Sequence, residues 1–158
     1  MLHIVTGQID EGKTTKLLSI FDETKCGDGF INQKVFIDGV NAGQEIMRLS
    51  TREKRNFSFR EGFLPDCWNE KYQYGAYSFS KEGYEFAEKV VWNVIRDTIE
   101  PVFIDEIGPL ELGGKGFHDL FFALLKENME MYVAVRESCV DDVIKKFGIE
   151  NSRLIFVY

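Results

Sequence analysis

The segment "TGQIDEGKTT", residues 6–15, decides how this chain is read. Gly7, four residues, then Gly12, Lys13 and Thr14 match the spacing GxxxxGK[ST] at every required position. The glycines let backbone N–H groups turn inward around phosphate oxygens without a Cβ in the way. Lys13 reaches the terminal phosphates as a point charge, and the Thr14 hydroxyl suits a magnesium ion. The helix that follows points its positive end at the anion. The spacing alone is only moderately specific, and its context supplies the rest. "LHIV" before it reads as a buried strand and "TTKLLSIF" after it as a helix, which is the setting such a loop requires. The candidate phosphate-binding residues are Gly7, Gln8, Ile9, Asp10, Glu11, Gly12, Lys13, Thr14 and Thr15. Asp10 and Glu11 are unexpected beside an anion. Two like charges ~4 Å apart in water cost about 1 kcal/mol, so binding survives if both carboxylates face solvent.

A phosphate loop needs an acid on a neighbouring strand to help hold the metal, and "VFIDE" (102–106) supplies one. Asp105 follows three apolar residues, so its carboxylate emerges at the carboxyl end of a buried strand, where open α/β sheets place ligands. Magnesium keeps most of its waters, so Thr14 and Asp105 suffice as protein ligands. Glu106, one residue on, is the candidate to orient or deprotonate an attacking water, with Glu111 in "GPLEL" as a second. A cation opposite Lys13 completes such a site. Arg136 is one candidate, delivered by "YVAVR" to a strand's carboxyl end, and Arg48, Arg52, Arg55 and Arg60 are others if their hairpin covers the site. The candidate catalytic residues are therefore Lys13, Glu106 and Arg136.

The 158 residues are one domain's worth, 1–158, with 44% hydrophobic and 28% charged residues. The net charge of −7 disfavours a nucleic-acid partner bound through a basic surface. Within that acidic chain, "RLSTREKRNFSFR" (48–60) sets four arginines and a lysine against one glutamate, which suits a small anion better than a polymer. The longest apolar runs, such as "LFFALL" (120–125), are too short to cross a bilayer, and "MLHIVTG" lacks the flank of a signal peptide. A cytoplasmic location is expected. Three cysteines without a CxxC pair argue against a disulfide framework or a zinc site. His3 and His118 have no ligand spacing, and most of the fourteen phenylalanines fall on apolar faces as core.

The periodicity predicts a strand over 2–5 and a helix from Thr14 to about Lys25, stopped with Gly27 in a left-handed position. From 29 to 79 it predicts hairpins. "FINQKVFIDG" reads as two strands around an "NQ" turn, with "EIMRLST", "NFSFR" and "YGAYSF" as further strands. Ser80 is the expected N-cap of a helix buried through Tyr84, Ala87, Val91, Val94 and Ile95. Strand "VFI", a helix using Phe117, Leu120, Phe121, Leu124 and Leu125, strand "MYVAV", a helix with Val140, Val143, Ile144 and Phe147, and strand "RLIFVY" follow. That alternation predicts an α/β fold with parallel strands.

Together, "TGxxxxGKTT", "VFIDEIGPLEL" and "GAYSF" before a long helix resemble a known family, the small nucleoside-triphosphatases first described from thermophiles. The resemblance implies a RecA-like P-loop NTPase core of three layers, with a mostly parallel central sheet and a hairpin-rich middle. It also implies Mg²⁺-dependent hydrolysis of nucleoside triphosphates with loose base preference. By motif position, residues 7–14 bind phosphates, and Asp105 and Glu106 serve metal and water. Relatives usually carry small or neutral residues where Asp10 and Glu11 stand. Two other functions share these features: a small-molecule or nucleoside kinase with the arginine stretch as a lid, and a non-catalytic nucleotide-binding adaptor. The acid beside the metal acid in "DEIG" favours hydrolysis, and the chain lacks the N-K-x-D string of a guanine-specific switch.

Overall fold

The structure, a computed structural model, describes residues 1–8 and 12–158. Ile9, Asp10 and Glu11, three of the expected loop residues, lie outside the described residues. The chain runs β1 (Leu2–Gly7), α1 (Lys13–Thr24), β2 (Asp28–Ile37), β3 (Val40–Arg48), β4 (Lys54–Arg60), β5 (Glu70–Tyr74) and β6 (Tyr77–Ser80). It continues as α2 (Lys81–Arg96), β7 (Val102–Ile107), α3 (Pro109–Leu112), α4 (His118–Lys126), β8 (Met131–Arg136), α5 (Val140–Lys146) and β9 (Ser152–Phe156). Among the described residues, nine strands join one sheet in the order β5-β6-β4-β3-β2-β7-β8-β1-β9.

The sheet has two halves with different rules. From β2 through β7, β8 and β1 to β9 every pairing is parallel, and from β2 outward to β5 every pairing is antiparallel. β1, β7 and β8 are buried almost without alternation because helices cover both faces, whereas the edge strand β9 is mostly exposed. α1 packs Leu17 and Ile20 against Val5, Ile31 and Phe103 on one face. On the other, α2, α4 and α5 bury Val91, Phe121 and Val143 against Ile4, Ile104 and Val133. The expected three layers follow. The α2 helix starts as predicted, with the Ser80 hydroxyl accepting from the Gly83 N–H at 3.0 Å.

Two local expectations are corrected. β2 runs unbroken through Asn32 and Gln33, which pair with Ile46 and Glu45 of β3. The chain turns instead at Asp38 and Gly39, with φ of 52° and 78°. Positive φ at both central residues is what a two-residue hairpin needs, and Asp-Gly supplies it. "YGAYSF" is likewise a hairpin of β5 and β6 around Gly75 and Ala76 rather than one strand. At the end of α1 Gly27 is left-handed as expected, φ 92°, and Lys25 before it is left-handed as well, φ 55°, its N–H bonding to the Phe21 carbonyl. Gly27 serves a close approach, because a Cβ there would come within 2.3 Å of the Pro101 carbonyl oxygen.

Arg48 is not a cation of the site. Its Nε donates at 2.8 Å to Asp28, which is buried and also accepts from the Ser50 hydroxyl and N–H. Removing one partner of such a pair strands the other, so Arg48→Ala is expected to cost about 3 kcal/mol in a thermal or urea melt. An unchanged melting temperature would show that Asp28 does not need it.

Candidate active site

The carboxyl ends of β1, β7 and β8 meet at one edge of the parallel half. Gly7, where β1 becomes the loop, pairs in register with Arg136 at the end of β8. Gly12 then opens α1 at φ 85°, a left-handed conformation that favours glycine. Among the described residues no side chain caps this helix and no acid lies in its first turn, which suits its positive end to an anion. Lys13 is half-buried, and its Nζ donates to the Gly7 carbonyl at 3.2 Å and to the Gln8 carbonyl. Thr15 is exposed on the first turn.

Thr14 and Asp105, 91 residues apart, are joined directly: the Thr14 hydroxyl donates to Asp105 Oδ2 at 2.7 Å. The same oxygen accepts from the Asn32 N–H at 2.9 Å. β2 is thereby tied to the site, a contact the sequence reading did not contain. Asp105 is 3% exposed. Burial, reinforced by the Glu106 charge, pushes it up to about 7, against the opposing Asn32, Thr14 and Lys13 contacts. A hydroxyl beside a buried, under-compensated carboxylate is an all-oxygen donor set that fits Mg²⁺.

Glu106 sits at an irregularity of the ladder. Ile104 pairs with Val133 and Ile107 with Val135, so Asp105 and Glu106 together oppose Ala134. At this bulge Glu106 takes φ 62°. Asp105 is buried against Thr14, whereas Glu106 is exposed and lines a cleft together with Arg136 and Arg60. The remaining arginine candidates are held away from that cleft. Arg52 pairs with Asp22 at 3.4 Å, and Arg55 with Glu53 and Glu82 at 2.7 and 3.7 Å.

Glu111, the second candidate for activating water, is committed to its own loop. Its two carboxylate oxygens accept from the Gly108 and Phe117 N–H groups, each at 2.8 Å, and it is 4% exposed. It thereby fixes the segment that follows Glu106. An amide cannot reproduce this, since its NH₂ would face one of the two backbone donors. Glu111→Gln is therefore expected to lose about 1–3 kcal/mol of stability in urea melts. Burial, the largest influence, also pushes Glu111 up to about 7. The folded chain then holds this proton more tightly than the unfolded one. The stability it contributes is full below the ordinary carboxylate range and is lost as pH rises through about 7. The melting temperature of the ligand-free protein is expected to fall between about pH 5 and about pH 8, with a shallower slope in Glu111→Gln.

Comparison with known proteins gives the same picture. A family model described as NTPase matches residues 3–157. The nucleoside-triphosphatase THEP1 of Archaeoglobus fulgidus is 34% identical over 117 residues, which cover 72% of this chain and 64% of that protein. The match thus spans less than two thirds of that relative's length. Among solved structures, the crystal structure of THEP1 from the hyperthermophile Aquifex aeolicus aligns with a TM-score of 0.76 at 24% identity, covering 99% of this chain and 90% of that one. The solution structure of a human cancer-related nucleoside triphosphatase aligns with a TM-score of 0.69 at 20% identity, covering 99% and 88%. These likenesses bear out the expected P-loop fold. Among the described residues, no helix is long and apolar enough to cross a membrane.

Proposed function

This chain belongs to the NTPase family, and from that premise we propose that it hydrolyses nucleoside triphosphates to diphosphate and phosphate with Mg²⁺. The observation that carries the reading is the 2.7 Å contact between Thr14 and Asp105, which brings the two motifs to one point. The backbone of Gly7, Gln8 and Gly12 and the start of α1 cradle the phosphates, with Ile9, Asp10, Glu11 and Thr15 completing the loop. Lys13 exchanges the Gly7 and Gln8 carbonyls for phosphate oxygens. Thr14 and Asp105 would hold Mg²⁺, which would supply positive charge against the phosphates. Glu106 orients the attacking water and takes its proton. Arg136, beside Gly7, offsets charge developing on the transferred phosphoryl group.

Little in this arrangement addresses a particular base, so ATP, GTP, CTP and UTP are all offered as substrates, and a cytoplasmic setting suits them. The test is phosphate release from each in turn. Release from more than one, abolished by EDTA and restored by Mg²⁺, is expected. Release indifferent to EDTA would contradict the reading.

A further inference from the structure

The two edges of the sheet, β5 and β9, are built differently. β5 carries Glu70 and Lys71, and its ladder to β6 is irregular between Glu70 and Tyr72. Charges and irregularities of this kind keep an edge from pairing with another chain. β9 is guarded far less. Its ladder to β1 is regular from Ser152 to Phe156, and Arg153 is its one charged residue.

Side chains alternate across a strand. Ile155 and Val157 pack beside α1, in the cluster around Leu17 and Ile20. Leu154, Phe156 and Tyr158 therefore face the other side of the sheet, where they join neither core cluster. They are 42%, 49% and 103% exposed, and the Phe156 and Tyr158 rings stack with centroids 6.5 Å apart. The backbone alternates too. The Val157 N–H bonds to the Thr6 carbonyl, so the odd-numbered residues of β9 address β1. Ser152, Leu154 and Phe156 then turn their N–H and C=O groups outward, where among the described residues no strand meets them.

These outward groups complement themselves. A second β9 laid antiparallel about a two-fold axis at Ile155 sets Leu154 of each copy opposite Phe156 of the other. Each such pair exchanges two backbone hydrogen bonds and sets apolar side chain against apolar side chain. Arg153 falls opposite Val157, so no like charges meet across the ladder, although each copy carries −7 overall. Half of Phe156 and all of Tyr158 bring roughly 300 Å² of aromatic surface from each copy. With Leu154 and the ladder itself, a pair approaches the ~1,200 Å² at which standard-size interfaces begin, the size of a weak, concentration-dependent contact. A stripe that matches itself, with its single charge clear of its twin, singles out a second copy of this chain as the occupant.

We propose that β9 pairs antiparallel with β9 of a second copy, joining two sheets edge to edge into one. The two phosphate loops then lie at opposite ends of the joined sheet, and each copy keeps its own site.

Sedimentation of the whole chain from low-micromolar to near-millimolar concentration tests this. The mean mass is expected to rise from 18.3 kDa toward twice that value. Leu154→Lys and Phe156→Lys each put two charges into the interface and are expected to raise the dimer Kd at least about tenfold. Tyr74→Lys, on the β5 edge and as exposed as Phe156, is expected to leave it unchanged. Phosphate release per chain is expected to be the same in Leu154→Lys as in wild type. Amide hydrogen exchange on the wild type locates the contact without any substitution. The Leu154 and Phe156 amides are expected to slow as concentration rises, whereas Ile155, already bonded to β1, does not change. A mass of 18.3 kDa at every concentration would overturn the proposal and leave the edge to some other partner. A dimer indifferent to both lysine substitutions, or one whose protection appears away from β9, would overturn it as well.

Discussion

Lys13→Ala is expected to lose triphosphate binding and, with it, turnover. Lys13 is the one described basic side chain of the loop, and its ammonium already lies against the Gly7 and Gln8 carbonyls. Two unit charges ~4 Å apart at an effective dielectric near 20 interact by about 4 kcal/mol. Losing that attraction corresponds to roughly a thousandfold rise in Kd. The fold should be spared, because the lysine contributes hydrogen bonds to loop carbonyls and no core packing. Titration with a fluorescent triphosphate analogue, alongside a thermal melt, reads both quantities. Affinity within about threefold of wild type would remove the loop from the account.

The second large effect separates chemistry from binding. Glu106→Ala is expected to bind triphosphate normally and to release phosphate about 10²–10⁴ times more slowly, the usual worth of a general base. A companion variant makes the argument sharper. Glu106 is a non-glycine residue at φ 62°, a conformation that costs a side chain about 1 kcal/mol and glycine almost nothing. Glu106→Gly should therefore raise the melting temperature while abolishing turnover. A residue kept only for structure cannot show that opposition of signs. Phosphate release and melts on the same preparations decide it. A Glu106→Gly protein that melts lower and turns over normally would show the carboxylate to be incidental.

The parallel half of this protein was legible because its signals are local. Continuous apolar runs marked β1, β7 and β8, and the loop spacing placed Thr14 next to a helix start that the Thr14–Asp105 contact then joined to the second motif. The Ser80 cap was readable for the same reason. The hairpin turn was misread although its signal was present. Asp38-Gly39 is a strong turn dipeptide, whereas Asn32-Gln33 is polar yet lies within the β2–β3 ladder.

The rest depends on what strands do to one another. Sheet order cannot be read from periodicity, and so the tie from Asn32 to Asp105 was invisible. The bulge at Asp105 and Glu106 arises from pairing with β8 and has no signature in "VFIDEIG". Glu111 carried the right residue type for acid–base work, and only its two backbone donors show its carboxylate to be already occupied. The arginine stretch divided for similar reasons. Asp28 and Asp22 claim Arg48 and Arg52, while Glu53 and Glu82 claim Arg55, which leaves Arg60 and Arg136 at the cleft.

The central claim is that one polyanion sits at the mouth of α1 with its metal between Thr14 and Asp105. A crystal structure with Mg²⁺ and a non-hydrolysable triphosphate analogue tests it most directly. The account predicts the terminal phosphates within reach of Lys13 and the loop amides, the ion on the Thr14 hydroxyl and facing Asp105, and Glu106 on the far side of the γ-phosphate. An analogue seated away from the loop, or an ion that touches neither Thr14 nor the waters of Asp105, would contradict it.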